Sequence, residues 1–147
     1  MEADEIVVDA SVVVKWFLAE EDSEKALKLR DDHVSHKVIL SAPTLMIYEV
    51  LNALKYSKVY SGEELSLIAK SLNGYGFKLY QLEGNLKERT IKTAAKHDLT
   101  IYDASYIALA EHLNTKLYTA DNELAEKVPE NVATIEEYPT QSNIREL

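Results

Sequence analysis

Short apolar runs alternate along this chain with longer stretches in which apolar residues return every three or four positions. The short runs are typical of strands buried on both faces of a parallel sheet, and the longer stretches are typical of helices with one apolar face. The predicted strands are residues 6–8, 38–40, 77–82, 116–119 and 132–135. The predicted helices are residues 12–18, about 23–32, 43–58, 61–73, 86–97, about 103–113 and 122–127. This alternation predicts an α/β domain with a parallel sheet of four or five strands.

Three local signals mark predicted helix starts. Ser11 is placed to accept hydrogen bonds from the first amides of the helix that follows it. Pro43 suits the first turn of the next long helix. Ser61 with Glu64 three residues later forms a capping box.

Length and turn residues indicate how the chain is divided. The 147 residues include only four Gly and three Pro, with no internal repeat and no linker. A chain of this length can bury one full core, so we expect a single domain over residues 1–138. Pro139 stops regular structure, which leaves residues 139–147 as a loose C-terminal tail.

Composition adds mainly exclusions. No apolar run approaches the roughly 18 residues that cross a bilayer, and the acidic start Met-Glu-Ala-Asp-Glu lacks the features of a signal peptide. The absence of cysteine excludes disulfides and thiolate zinc sites. We therefore expect a cytoplasmic protein without a membrane segment.

Charge is unevenly distributed. The net charge of −9 argues against a protein that coats nucleic acid, because phosphate binding depends on Lys and Arg. Residues 55–98 nevertheless carry eight basic and five acidic side chains. A mildly basic side on an acidic body can meet a polyanion locally, although solvated helix faces explain most of these lysines equally well.

Four acids are the candidates for chemistry: Asp9, Glu49, Asp103 and Asp121. Asp9 and Asp121 each follow a predicted strand, which places them at the carboxyl edge of the sheet, where open α/β folds bind ligands. Asp103 lies at the N-terminus of a predicted helix. Glu49 lies in an otherwise apolar helix, where a carboxylate must reach the surface or find a partner. Asn52, three residues on, shares its face.

Each acid alone has a simpler explanation. Asp9, Asp103 and Asp121 can be helix caps or turn residues, and Glu49 can lie on an exposed polar stripe. The occurrence of four such acids, two at strand ends and two in helices, is stronger evidence for a site than any single acid. Four converging carboxylates would repel one another, and some would take up protons unless a cation lay between them. A hard divalent ion such as Mg²⁺ would meet that need and could support attack on a phosphodiester.

Other catalytic arrangements find less support. The four histidines offer no zinc site, and no serine or cysteine nucleophile is paired with a histidine. Tyr48, Tyr102 and Tyr106 could stack a splayed base, although core or rim positions explain them more simply.

Four segments along the chain combine these residues into a longer pattern. They are Val8-Asp9-Ala10-Ser11-Val12 with Lys15-Trp16; Pro43 with Glu49 and Asn52-Ala53-Leu54; Tyr102-Asp103-Ala104 with Tyr106 and Ala108-Leu109-Ala110; and Thr119-Ala120-Asp121 with Leu124. In this order and spacing they resemble the PIN-domain family, above all the VapC-type toxins of prokaryotic toxin–antitoxin pairs. The resemblance covers nearly the whole chain from residue 6 to about residue 135.

The resemblance implies a three-layer α/β/α domain and an endoribonuclease that depends on Mg²⁺ or Mn²⁺ and hydrolyses RNA phosphodiester bonds. It also implies a homodimer and a small antitoxin protein as partner. The residues that fall on the family's acidic positions are Asp9, Glu49, Asp103 and Asp121. Ser11 and Thr119 fall on its hydroxyl positions. Many relatives carry a further acid just after the fourth aspartate, and here Asn122 and Glu123 occupy those positions. Glu123 could contribute to a second ion or face water, and we expect it to face water.

These observations lead to one main hypothesis and two rivals. In the main hypothesis Asp9, Asp103 and Asp121 ligate the principal ion, and Glu49 binds a second ion or orients the attacking water. Ser11, Thr119 and Asn52 support the site through hydrogen bonds to the residues that form it, without binding the ion themselves. One rival is a receiver-like domain that accepts a phosphoryl group, although it would need adjacent acids where Asp9 is followed by Ala10. The other is a catalytically silent binding protein that keeps the same fold.

Overall fold

A five-stranded, wholly parallel sheet forms the centre of the computed structural model, which describes residues 3–139. The strands are β1 (Asp4–Val8), β2 (Val38–Pro43), β3 (Lys78–Tyr80), β4 (Leu117–Thr119) and β5 (Val132–Thr134). The helices are α1 (Ala10–Val13), α2 (Ser23–Val34), α3 (Leu45–Ser57), α4 (Gly62–Gly74), α5 (Gly84–His97), α6 (Ile101–His112) and α7 (Asn122–Lys127). Two short 3₁₀ turns, Val14–Trp16 and Ile135–Glu137, complete the described elements.

The order of the strands creates a switch point next to β1. The sheet runs β3-β2-β1-β4-β5, so the chain first adds strands on one side of β1 and then returns to add β4 on the other. Open α/β sheets bind ligands beyond the carboxyl ends of the strands where the order reverses, which here is the edge between β1 and β4. Val8 is in register with Tyr118, so Asp9 and Thr119 follow side by side.

Helices cover both faces of the sheet. With the right-handed crossovers that parallel sheets adopt, the strand order assigns α1–α4 to one face and α5–α7 to the other. α6 packs against β1, β2 and β4. Because both faces are covered, apolar side chains at the centre of the sheet are removed from solvent, with Val7, Val8 and Leu40 fully buried. α6 is buried along residues 104–110. The predicted α/β/α architecture and the parallel sheet of four or five strands are confirmed, and the number of strands is five.

Two predicted helix starts are wrong. Pro43 ends β2 instead of opening a helix; as the last residue of a strand it is in register with Tyr80, and Thr44 resumes the ladder by donating to the Tyr80 carbonyl at 3.0 Å. A proline is tolerated there because the Thr44 amide supplies the donor to β3, and the pairing of β2 with β1 has already ended at Ser41. Ser11 does not cap α1, because Asp9 holds that position and accepts from the Ser11 amide.

The capping box is confirmed. Ser61 Oγ accepts from the Glu64 amide at 3.1 Å, and the Glu64 carboxylate accepts from the Ser61 amide at 2.8 Å. This exchange satisfies two amides at the start of α4 that no helical carbonyl can reach.

The end of the described chain is anchored to α2. The Tyr138 side chain is buried, its hydroxyl donates to Asp32, and its ring packs edge-on against Tyr118 at 5.3 Å. The predicted tail, residues 139–147, lies outside the described residues except for the exposed Pro139. Between residues 3 and 139, none of the helices has the length and apolar character to cross a membrane.

Candidate functional site

Asp9 lies where β1 ends and α1 begins, at the switch point of the sheet. Its Oδ1 accepts from the Ser11 amide at 3.0 Å and also from the Ser11 hydroxyl. The side chain is nearly removed from solvent, and this burial raises the pKa of Asp9 to about 6, against the opposing effect of hydrogen bonds from Ser11 and Thr119. A carboxylate in this position favours either a proton or a bound cation.

Two hydroxyl groups join the end of β1 to the end of β4. Ser11 Oγ lies 3.4 Å from Thr119 Oγ1 and accepts from the Ala120 amide at 2.9 Å. Thr119 Oγ1 accepts from the Asp121 amide at 3.0 Å. Through these bonds the backbone that carries Asp121 is tied to the backbone that carries Asp9.

Asp121 and Asp103 line one cavity of about 200 Å³. Asp121 caps α7, with Oδ1 accepting from the Glu123 amide at 3.0 Å and the Leu124 amide at 3.2 Å. Asp103 sits in the first turn of α6. Burial raises the pKa of Asp103, the charge of Asp121 raises it further, and Lys127 acts in the opposite direction. The two acids therefore repel each other, as the sequence led us to expect.

Glu49 meets a buried tyrosine. The Tyr106 hydroxyl, on α6, donates to Glu49 Oε1, on α3, at 2.5 Å. Tyr106 is only 2% exposed. Its pKa is raised by burial and by the hydrogen bond to Glu49, and the charges of Glu49 and Asp9 add to the effect. One hydroxyl thus lies within the field of two of the four candidate acids.

An open cleft lies beside Glu49. It has a volume of about 520 Å³ and is lined by Leu45, Tyr48, Glu49, Asn52 and Tyr102. Tyr48, Tyr102 and Asn52 are exposed. Of the three tyrosines proposed from the sequence to stack a base, Tyr48 and Tyr102 are accessible, whereas Tyr106 belongs to the core.

The structure brings the predicted acids together in two groups. Asp103 and Asp121 share one cavity, and Asp9 and Glu49 are related through Tyr106. Among residues 3–139, no three His, Asp or Glu side chains stand close enough together to enclose a metal ion. Mg²⁺ is commonly held by one or two carboxylates with several waters, so the donors present suit such an ion in their chemistry.

Two further charged residues lie at this site. Glu123 is exposed, as expected, and lines the cavity of Asp103 and Asp121. Lys127, which lines the same cavity, was not singled out from the sequence. Its Nζ donates to the Asp98 carbonyl at 3.2 Å. Lys127 lies four residues after Glu123 on α7. That spacing puts both side chains on one face of the helix, and it is the signal in the sequence that could have linked Lys127 to the site.

The role of Tyr106 was also missed, although the sequence contained the signal. Glu49 stands alone in an apolar helix, and Tyr106 stands in a helix whose neighbouring residues are nearly all apolar. Buried hydroxyls and carboxylates both need partners, so the two residues complement each other.

Comparison with known proteins identifies relatives of this chain. Residues 6–129 match the PIN domain family. Over 129 residues the chain is 36% identical to Ribonuclease VapC3 of Pyrobaculum aerophilum, an alignment that covers 84% of this chain and 95% of that protein.

Solved structures show the same fold. The crystal structure of PAE2754 from Pyrobaculum aerophilum is 29% identical, with a TM-score of 0.64 and 90% of each chain covered. A chain of a toxin–antitoxin complex from Klebsiella pneumoniae is 16% identical, with a TM-score of 0.68, covering 88% of this chain and 97% of that one.

Proposed function

This chain belongs to the PIN domain family, and from that premise we propose that it is a metal-dependent endoribonuclease, the toxin of a prokaryotic toxin–antitoxin pair. The observation that carries the proposal is the position of Asp9, a buried carboxylate at the switch point of the sheet, tied by Ser11 and Thr119 to the strand end that bears Asp121. The 36% identity to a protein named as a ribonuclease supports the same activity.

Asp9, Asp103 and Asp121 are the residues that would hold Mg²⁺ or Mn²⁺. Such an ion supplies positive charge to the phosphodiester oxygens and makes water a better nucleophile near neutral pH. The raised pKa values of Asp9 and Asp103 support this assignment, because a bound cation would offset both the burial and the mutual repulsion of these acids.

The remaining residues would orient the reactants. Glu49 would align the water that attacks phosphorus, while Tyr106 holds one of its carboxylate oxygens in place. Ser11 and Thr119 would keep Asp9 and Asp121 at a fixed separation by joining the two strand ends. Asn52 lies one turn further along α3 and lines the cleft beside Glu49.

A small antitoxin protein is the proposed partner, since the chain shares its fold with a component of a toxin–antitoxin complex. We also propose a homodimer that acts on cytoplasmic RNA. An acidic site of this kind would attract a basic side chain from the antitoxin, which would compete with the metal ion.

Cleavage of RNA by the purified chain tests the proposal. The parent should cut RNA internally when Mn²⁺ is present and stop when EDTA is added. Asp103→Asn should lose cleavage by a factor on the order of 100 or more, because it removes a proposed ligand. Asp31→Asn, an exposed acid on α2 paired with Arg30, is the matched control and should cleave like the parent.

Cleavage by Asp103→Asn at the parental rate would contradict the assignment. Metal binding without cleavage of any RNA would favour the silent binding protein.

A further inference from the structure

We propose that the open cleft between α3 and α6 is a subsite in which the two rings of Tyr48 and Tyr102 stack bases of single-stranded RNA beside the scissile phosphate. This inference rests on the proposed function and deepens it, since it names the feature of the substrate that the chain recognises. The tyrosine cleft is defined by the residues that line it: Leu45, Tyr48, Glu49, Asn52 and Tyr102.

Both aromatic rings face solvent, although residues close to them in the chain are buried. Tyr48 is 78% exposed and Tyr102 is 62% exposed. On the same two helices Met46, Val50 and Ala104 are fully buried. Two large rings that share one cavity and remain uncovered indicate a binding surface, since the chain gains nothing from them in its core.

Each ring directly precedes a candidate acid in the chain, and both rings share the tyrosine cleft with Glu49. Tyr48 precedes Glu49, and Tyr102 precedes Asp103. The hydrogen bond from Tyr106 fixes Glu49 against α6, so the start of α3 is held at a defined position relative to Tyr102. A nucleotide whose phosphate lies beside Glu49 would have its base at the cleft that holds these rings.

The cleft contains polar groups that match a base better than an apolar peptide. Asn52 offers an amide with both donor and acceptor, which can pair with the edge of a base. Stacking on aromatic rings is the usual way in which proteins hold single-stranded RNA, and it works with any base.

The net charge of the chain favours local contacts such as stacking over general attraction to the RNA backbone. With a net charge of −9, the protein gains little general attraction for phosphates. Local contacts therefore gain importance, and stacking one base on an aromatic side chain changes affinity by roughly 5- to 150-fold.

The test compares alanine and phenylalanine variants of both tyrosines. The KM for a single-stranded RNA is measured with Mn²⁺, and the quenching of 2-aminopurine in the same RNA is measured in the Asp121→Asn background, where the strand stays intact. Tyr48→Ala and Tyr102→Ala should each raise KM about tenfold and reduce quenching, whereas the phenylalanine variants keep the ring and should behave like the parent. Tyr56→Ala removes an equally exposed ring from α3 outside the cleft and should have no effect.

Each other outcome overturns the inference in a recognisable way. If the parent cleaves RNA and the alanine variants keep its KM and quenching, the subsite is wrong and the proposed function stands. If the alanine variants alter only the sedimentation of the chain, the cleft is a contact between copies of the protein. If the parent neither cleaves nor binds RNA, the proposed function itself has failed.

Discussion

Replacing Asp9 by asparagine should make the chain more stable while abolishing its activity. A folded-state pKa of about 6 against the ordinary value of 3.8 means that keeping Asp9 ionised costs the folded chain about 3 kcal/mol at neutral pH. Asparagine keeps the oxygen that accepts from Ser11, but it adds two N–H donors that need partners. We therefore expect a net gain of about 2 kcal/mol in the free energy of unfolding, or roughly 6 °C in Tm.

The gain should depend on pH in a defined direction. Because the folded pKa of Asp9 is raised, its contribution to stability is fully present below the unfolded value of 3.8 and is lost as the pH rises through about 6. The parent and Asp9→Asn should thus have similar free energies of unfolding near pH 3.8. Between that pH and neutral pH, Asp9→Asn should become progressively more stable than the parent. Urea denaturation followed by circular dichroism, with EDTA present to remove divalent ions, measures the difference.

A second buried aspartate provides the control. Asp32 is as buried as Asp9, but its carboxylate pairs with Lys28 Nζ at 2.8 Å and accepts from the Tyr138 hydroxyl. Asp32→Asn should lower the free energy of unfolding by about 1–2 kcal/mol at neutral pH, because it leaves the pair incomplete. If Asp9→Asn destabilised the chain to the same extent, the view of Asp9 as a functional acid held at the expense of stability would be refuted.

Other consequences follow from individual contacts. Tyr106→Phe should slow RNA cleavage about tenfold, and a double-mutant cycle on kcat should show that the loss largely disappears in the Glu49→Gln background; independent effects would contradict the positioning role. Ser61→Ala should lower the free energy of unfolding by about 1 kcal/mol and leave cleavage unchanged, since it removes only the cap on the Glu64 amide. Leu54→Ala, at a fully buried position on α3, should lower the free energy of unfolding by about 2–5 kcal/mol, as measured by urea denaturation.

Most of the fold could be predicted because strands and helices of a doubly covered parallel sheet have distinct patterns. Continuous apolar runs identified β1 and β2, and the capping box identified the start of α4. Pro43 shows where this reasoning stops. Its fixed backbone angle suits the first turn of a helix as well as the end of a strand, and only the pairing of β2 with β3 decides between them.

The candidate site could be predicted as a set of residues but not as an arrangement. Asp9 and Asp121 follow strands, so parallel pairing alone places them at one edge of the sheet. Local patterns mark Glu49 and Tyr106 as polar groups in apolar helices that each need a partner, but the bond between them depends on how α3 and α6 approach each other. The position of Lys127 beside Asp103 likewise depends on the docking of α7.

The most direct test of the account is the position of a divalent ion in crystals grown or soaked with Mn²⁺. Its anomalous signal identifies the ion without reference to activity. The account predicts a peak at the carboxyl edge of β1 and β4, contacted by Asp9, Asp103 and Asp121 directly or through water. A well-ordered crystal at millimolar Mn²⁺ with no peak there, or with the ion bound elsewhere, would contradict the proposal that these acids form one metal site.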